Sequence, residues 1–204
     1  YSQFRIGYYI DKPFNYPDQK VFPLDAYAVQ LSSKMRKDDC NFSMMSQVKC
    51  VNISYCTFVT DLDLAHLKNA HTLIAGDCEN LTDISGLRES KIKELNLGHC
   101  QNLRDVSVLS TLLELKYLEL YYCSNITDVS MLGHVEELDL SETKVADISG
   151  LRGSKIKKLS LCGCRNLRDV SILSTLSELK YLNLWGCKNI TEVFMLGHVE
   201  ELYI

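Results

Sequence analysis

Nine cysteines and five histidines are the side chains of this 204-residue sequence that metal or nucleophilic chemistry would use first. No pair of cysteines has the C-x-x-C spacing that structural zinc sites favour, and an odd number in a chain of this length argues against a disulfide framework. The sequence also lacks a G-x-S-x-G nucleophile elbow, a phosphate-binding glycine loop and an H-E-x-x-H zinc motif. These residues therefore predict a non-catalytic protein without a metal or a cofactor.

Most of the cysteines recur with a period instead. The pattern L-x-L-x-x-C-x-N-[IL]-x-D-[VI]-S-x-L places one cysteine shortly after a strand-like triplet in each unit. It fits throughout Leu95–Leu109, Leu118–Leu132 and Leu159–Leu173. Four further segments match it with substitutions or a one-residue deletion: Leu182–Leu196, Leu138–Leu151, Leu73–Leu87 and Val51–Leu67. Successive units are 20 to 23 residues apart, which is a spacing typical of a repeat protein.

These units resemble the repeats of leucine-rich repeat proteins, in particular the short internalin-like subclass with cysteine at the usual asparagine position. They also resemble, more weakly, the NITDVS repeats of protozoan parasites. The resemblance covers about Val48 to Ile204. It implies an α/β solenoid, a horseshoe with a parallel concave β-sheet and turns or 3₁₀ segments on the convex side. The residues agree, because one L-x-L strand turns two side chains inward and can bury them only against stacked neighbours.

The first 47 residues lie outside the repeats and contain all three prolines. Leu24, Ala28, Leu31 and Met35 follow helical spacing, which predicts one amphipathic helix in an otherwise irregular segment. We expect residues 1–47 to form an N-terminal cap over the end of the core, with a linker or part of a preceding domain as the alternative. Residues 48–204 are expected to form seven repeats and the start of an eighth.

The periodic cysteine position predicts a structural ladder. A thiol directly after each strand can make weak hydrogen bonds to the turn backbone and fill a small apolar gap. The predicted ladder consists of Cys56, Cys78, Cys100, Cys123, Thr143, Cys164 and Cys187. A row of buried free thiols favours a reducing, intracellular compartment. The N-x-[ST] sequons at Asn41, Asn52, Asn80, Asn125 and Asn189 leave an extracellular or cell-surface location open.

A block of three repeats occurs twice, 64 residues apart. Between Glu89–Leu140 and Gly153–Ile204, 36 of 52 positions are identical. Ten of the 52 positions are expected to face outward from the concave sheet, and eight of these ten differ, whereas the other 42 positions hold only eight differences. His99 is one of the ten, and its counterpart is Gly163, which argues against an essential catalytic base there. We therefore interpret the concave face as the part of the molecule that binds a partner, with a merely solvated sheet as the alternative.

Aromatic and acidic side chains dominate this predicted face. Tyrosine and tryptophan are common anchors of protein interfaces, and carboxylates would steer a basic segment. The predicted binding residues are Tyr55, His99, Tyr117, Glu119, Tyr121, Tyr122, Glu137, Asp139, Glu142, Tyr181, Asn183, Trp185 and Tyr203. The predicted partner is another protein that presents basic and apolar groups.

Charge and hydropathy exclude two other partner classes. A net charge of −4 argues against nucleic acid, and no apolar run reaches the roughly 18 residues that span a bilayer. Two alternative functions stay open: a regulatory or adaptor segment of a larger protein, such as a ubiquitin-ligase or phosphatase assembly, and a secreted or surface adhesion protein. Because the pattern stops within a repeat at Ile204, we expect the sequence to be a piece of a longer chain.

Overall fold

One parallel β-sheet runs through the whole computed structural model, which describes residues 8–10 and 28–204. Its ten strands are hydrogen-bonded in chain order. They are β1 (Tyr8–Ile10), β2 (Ala28–Leu31), β3 (Cys50–Asn52), β4 (Thr72–Ile74), β5 (Glu94–Asn96), β6 (Tyr117–Glu119), β7 (Glu137–Asp139), β8 (Lys158–Ser160), β9 (Tyr181–Asn183) and β10 (Glu201–Tyr203). This succession is the solenoid that the repeat spacing predicts.

The strand register places the first leucine of each unit in one inward row. Leu95 pairs with Leu118, Leu118 with Leu138, and Leu138 with Leu159. All four side chains are buried, as are the later apolar positions of the units between them, for example Leu103, whereas Ile190 and Val193 in the last unit are only partly buried. Because a strand turns alternate side chains to opposite sides, the residues next to each of these leucines lie on the open side of the sheet.

Short helical segments return the chain behind the sheet. One four-residue α-helix, α1 (Asp61–Leu64), lies in the first repeat, and the other segments are 3₁₀ turns. These turns are Lys37–Asp39, Phe42–Met45, Ala65–Leu67, Ser85–Leu87, Ser107–Thr111, Ser130–Leu132, Ser149–Leu151, Ser171–Thr175 and Phe194–Leu196. A 3₁₀ helix usually extends over only three or four residues. Such short turns fit a repeat of 20 to 23 residues, which leaves no room for a longer helix behind the sheet.

The predicted amphipathic helix in the N-terminal segment is wrong in the part that the structure describes. Ala28–Leu31 forms strand β2, which pairs in parallel with β3. Val29 and Leu31 are buried with the two-residue period of a strand, so they extend the inward rows of the repeats. Pairing with β3 satisfies the backbone, and this outweighs a helical spacing carried by only four apolar residues. Leu24 lies outside the described residues, and the boundary between cap and repeats at residue 47 stays a prediction.

Two rows of side-chain hydrogen bonds stabilise the turns. In the first, an aspartate accepts a hydrogen bond from the backbone N–H of a serine two residues later, as Asp128 does from Ser130 at 2.9 Å. Asp83, Asp105, Asp147 and Asp169 do the same. In the second row, an asparagine Nδ2 donates to a carbonyl of the preceding repeat, as Asn125 does to Gln101 at 2.6 Å. Asn80, Asn102, Asn166 and Asn189 make the corresponding bonds.

The aspartate row predicts how stability depends on pH. The serine backbone N–H, followed by the serine hydroxyl, lowers the pKa of Asp105, Asp128, Asp147 and Asp169. A carboxylate with a lowered folded pKa stabilises the fold above its unfolded pKa of about 3.9, and this contribution is lost as pH falls through the folded value. Replacing these four residues by asparagine keeps the acceptor but removes the titration. We expect the unfolding free energy of that variant, measured by urea denaturation between pH 6 and pH 2, to decline less steeply than that of the wild type.

Glu192→Gln is the matched control. Glu192 occupies the corresponding position in the last repeat, where Phe194 stands in place of the serine. The unfolding free energy of the Glu192→Gln variant should change with pH as steeply as that of the wild type. An unchanged slope in the four-asparagine variant would show that these turns do not contribute to acid sensitivity.

Candidate functional site

The predicted cysteine ladder forms a continuous buried row beneath the ends of the strands. The Cys123 Sγ donates to the Leu97 carbonyl at 3.0 Å, so each thiol reaches back to the preceding repeat. The same bond is made by Cys56, Cys78, Cys100, Cys164 and Cys187, at 2.9 to 3.9 Å. Thr143 bonds instead to the Leu140 carbonyl of its own repeat, and its hydroxyl lies 3.5 Å from the Cys164 Sγ.

Burial makes these thiols poor nucleophiles. It raises the pKa of Cys56, Cys100 and Cys164 to about 11, and that of Cys123 to about 12. The pKa values of Cys78 and Cys187 are raised for the same reason. Because the thiolate is the reactive form, the ladder is chemically inert at neutral pH.

The residue before each ladder position adopts a left-handed backbone conformation. This row consists of Tyr55, Asp77, His99, Tyr122, Glu142, Gly163 and Gly186, with φ between 56° and 76°. The first six of these residues are held there by their own N–H, as when the His99 N–H donates to the Tyr121 carbonyl of the next repeat at 2.8 Å. This conformation costs an ordinary L-residue about 1–2 kcal/mol, so five of the seven members keep a side chain at a strained position.

The sheet face comprises the outward side chains of β3 to β10 and those of the two residues before each ladder position. An open groove of about 830 Å³ lies on its C-terminal half. Six of the predicted binding residues line this groove: Tyr117, Glu119, Glu137, Asp139, Tyr181 and Asn183. Tyr203 stands against Tyr181, with ring centroids 5.5 Å apart. Tyr55 lies apart from this groove, in a small depression beside β2 and β3.

Some predicted binding residues also stabilise the sheet itself. The Asp139 carboxylate accepts a hydrogen bond from the Ser141 N–H at 2.8 Å, and the Asn183 Oδ1 accepts one from the Trp185 N–H at 2.9 Å. Glu142 approaches Arg165 at 3.8 Å. Part of the hydrogen-bonding and charge-pairing capacity of these side chains is therefore used within the molecule, and a partner would contact their remaining exposed atoms.

The groove lining carries more carboxylates than amines: Glu119, Glu137, Asp139, Glu200 and Glu201 against Lys157, Lys158 and Lys180. Burial, followed by the neighbouring charge of Asp139, raises the pKa of Glu119, while the hydrogen bond from Asn96 opposes this shift. Glu137 is paired with Lys158 at 3.1 Å, which leaves Glu119 and Asp139 as a carboxylate pair without a basic neighbour of comparable proximity. A raised carboxylate pKa indicates an environment that would gain from an incoming cation.

Sequence reasoning missed several residues of the groove, including Ser141, Lys157, Lys158, Ser160, Cys162 and Lys180. Lys158, Ser160 and Cys162 are among the positions that differ between the two blocks, so the same comparison contained the signal. The preference for aromatic and acidic residue types left them out.

An aromatic cluster lies on the sheet face of the first block, Glu89–Leu140, and its copy Gly153–Ile204 is the second block. The rings of His99 and Tyr122 are stacked at 4.6 Å, and Tyr121 meets His99 edge-on at 5.2 Å. Gly98 makes this possible, because the ring of Tyr121 occupies the space that a Cβ on Gly98 would fill. The repeat alignment predicts His99 beside Tyr122 on the concave face, and the structure adds the ring of Tyr121 to this pair.

The second block has glycines in place of two of these three rings. Gly163 and Gly186 stand in place of His99 and Tyr122, and Cys162 stands in place of Gly98. Since a Cβ at the position of Gly98 would overlap the ring of Tyr121, Cys162 leaves no room for a ring packed in the same way. The counterpart of that ring, Trp185, is 64% exposed.

Comparison with known proteins identifies the fold. No protein-family model and no curated protein sequence matches this chain. Internalin C2 from Listeria monocytogenes is a similar solved structure, with 25% identity, a TM-score of 0.56 and 80% of each chain covered. The leucine-rich repeat domain of the type III effector XCV3220 (XopL) shares 15% identity, with a TM-score of 0.61 over 88% of this chain and 76% of that one.

A third similar structure, the functional domain of InlJ from Listeria monocytogenes, is described as including a cysteine ladder. It shares 19% identity, with a TM-score of 0.50 over 85% of this chain and 41% of that one. The predicted leucine-rich repeat fold of the internalin-like type is confirmed by these similarities together with the parallel sheet and its 3₁₀ turns. No helix in residues 28–204 has the length and apolar character that crossing a bilayer requires.

The ladder predicts a sharp contrast in thiol reactivity. Cys50 and Cys162 are partly exposed, whereas the six ladder cysteines are buried free thiols. In alkylation with iodoacetamide mapped by mass spectrometry, we expect Cys50 and Cys162 to react in the native protein and the ladder cysteines to react only after unfolding. Native labelling of Cys100 or Cys123 at a rate similar to that of Cys162 would contradict the buried ladder.

The aromatic cluster predicts a cost for adding one methyl group. In Gly98→Ala the new Cβ overlaps the ring of Tyr121, so the ring or the sheet must shift. We expect the unfolding free energy to fall by about 1–3 kcal/mol in urea denaturation. Gly133→Ala is the control, because Gly133 has an ordinary φ of −63° and its nearest neighbour would lie at 3.6 Å. Equal stabilities of the two variants would show that the ring of Tyr121 is not packed on Gly98.

Proposed function

We propose that this leucine-rich repeat solenoid is a non-catalytic protein-interaction scaffold that binds its partner on the sheet face. Solenoids of stacked repeats present an extended concave surface, and a prebuilt surface loses little conformational entropy on binding. The partner that fits best is a protein segment bearing basic and apolar side chains.

The observation that carries this proposal is the distribution of differences between the two blocks. Eight of the ten sheet-face positions differ, against eight of the other 42. Exposure alone does not account for this. The segment from Ser107 to Leu118 contains exposed residues such as Ser110 and Lys116, and its copy from Ser171 to Leu182 differs from it only at Val108 and Leu113.

The chemistry of the groove defines the kind of partner. Tyr117 on β6 and its counterpart Tyr181 on β9 stand at the two ends of one register row of the groove, with Glu137 and Lys158 between them, and both are tyrosine, which suits generic apolar anchors. In the adjacent row, Glu119 on β6 pairs in register with Asp139 on β7, and these two carboxylates provide a place for a cation. A lysine or arginine flanked by apolar side chains satisfies both features.

The test is binding of a partner captured from a native lysate and then purified. We expect Tyr117→Ala combined with Tyr181→Ala to weaken its affinity by about 30-fold or more, the effect of losing at least one interface hot spot of about 2 kcal/mol. The change is measured by isothermal titration calorimetry, after circular dichroism has shown intact folding. Glu119→Gln should weaken binding more at low salt than at high salt. High salt already screens the attraction between the Glu119 carboxylate and a basic partner, so less is lost when the charge is removed.

Leu113→Ser is the matched control for the sheet-face variants. Leu113 is 84% exposed behind the sheet, and the second block already has Ser177 at this position. Its affinity should equal that of the wild type. A partner that is lost with Leu113→Ser and retained by the tyrosine variant would place binding behind the sheet and contradict the proposal.

A further inference from the structure

We propose that Gly163, Gly186 and Trp185 form a receptor for one aromatic side chain of the partner, in the place that the first block fills with its own side chains. The inference rests on the proposed function, because it assigns a subsite within the sheet face. It commits the occupant to a ring that carries a hydrogen-bond donor, as tyrosine and histidine do.

The first block shows what this place looks like when aromatic rings fill it. There His99 and Tyr122 project from the left-handed row and stack on each other at 4.6 Å. The edge of Tyr121 closes the cluster from the side, 5.2 Å from His99 and 6.3 Å from Tyr122. Both stacked residues are held at a positive φ that disfavours side chains, so the first block fills this place against its backbone preference.

The second block has the same backbone without the side chains. Gly163 and Gly186 have φ values of 67° and 76°, close to the 61° and 57° of their counterparts His99 and Tyr122. A Cβ on Gly186 would meet only the backbone of Gly163, at 3.6 Å, so the space above Gly186 is open, whereas the Glu142 carboxylate covers the buried Gly163. Trp185 has no stacked neighbour to replace His99 or Tyr122 and remains 64% exposed beside this space.

The receptor also keeps a carboxylate at the corresponding edge. In the first block Asp77 precedes His99 in the left-handed row, and in the second block Glu142 precedes Gly163. The carboxylate end of Glu142 lies over Gly163, where a Cβ would overlap it. Because this is the far end of a flexible side chain, it can swing aside and accept a hydrogen bond from the incoming ring. A donor-bearing ring is therefore preferred to a purely apolar side chain.

The sole tryptophan of the chain makes the test direct, since the indole Nε1–H signal of Trp185 reports on the receptor alone. The probes are N-acetyl-tyrosinamide, N-acetyl-leucinamide and N-acetyl-argininamide, each titrated against the ¹⁵N-labelled chain in NMR spectra. We expect a saturable shift with the tyrosine probe and binding about tenfold weaker, or none, with the other two. Absence of a saturable shift with the tyrosine probe, or tighter binding of the arginine probe, would overturn the proposal.

Two variants separate filling of the receptor from backbone strain. Gly163→His with Gly186→Tyr transplants the first block's own side chains and should abolish the shift with the tyrosine probe. Gly163→Ala with Gly186→Ala adds comparable strain at positive φ without a ring and should retain part of that shift. If the filled variant binds the probe as well as the wild type does, the receptor lies elsewhere and the proposal fails.

The purified partner distinguishes this failure from failure of the proposed function. Loss of partner affinity in both Tyr117→Ala/Tyr181→Ala and Gly163→His/Gly186→Tyr supports the receptor within a binding sheet face. Loss in the tyrosine variant alone leaves the sheet face as the binding surface and removes the receptor from it.

Discussion

Hydrogen bonding from one repeat to the next is the interaction on which the rest of this molecule depends. A single unit has one three-residue strand and a few inward leucines, so it can bury its apolar side only against its neighbours. The strand backbone, the ladder thiols and the asparagine amides each reach across this interval, as in the bonds from Cys123 to Leu97 and from Asn125 to Gln101. Their donors occupy fixed positions in the unit, which is why the repeat length tolerates only small variation.

This arrangement leaves the sheet face free to vary. The inward side chains, the thiol and the turn aspartate hold the backbone, while outward residues such as Glu119 and its counterpart Asn183 contribute little to it beyond local turns. A duplicated block can therefore keep its fold and acquire a different surface. The exchange of Gly98 for Cys162 shows how one small change propagates, since the space lost above the sheet is the space that the neighbouring aromatic ring would occupy.

The fold was largely predictable because the leucine and cysteine positions recur every 20 to 23 residues along the repeats. The spacing of Leu95, Leu118 and Leu138 determined the register, and the cysteine position indicated a ladder. Strand β2 was missed, because its triplet from Val29 to Leu31 lacks the cysteine and aspartate that mark the other units. Contacts on the sheet face were predicted only in part: the repeat alignment placed His99 beside Tyr122, but the packing of the Tyr121 ring on Gly98 depends on the space that a missing Cβ leaves, which the pattern does not encode. Comparison of the blocks indicated the face, but only the backbone conformation showed which of its positions are open.

We propose that the buried ladders determine the fold and that the sheet face determines recognition. The most direct test is to give the second block the sheet face of the first, in one variant that carries Lys158→Glu, Ser160→Asn, Cys162→Gly, Gly163→His, Asn183→Glu, Trp185→Tyr, Gly186→Tyr and Tyr203→Asp. Its unfolding free energy and its affinity for the purified partner are measured side by side. We expect the variant to fold with an unfolding free energy lower than that of the wild type by about 2–4 kcal/mol, because two side chains are placed at positive φ at about 1–2 kcal/mol each and the other six changes are worth roughly half a kcal/mol or less, of either sign, together with a large change in affinity. A variant that unfolds, or one that folds and binds the partner unchanged, would contradict this proposal.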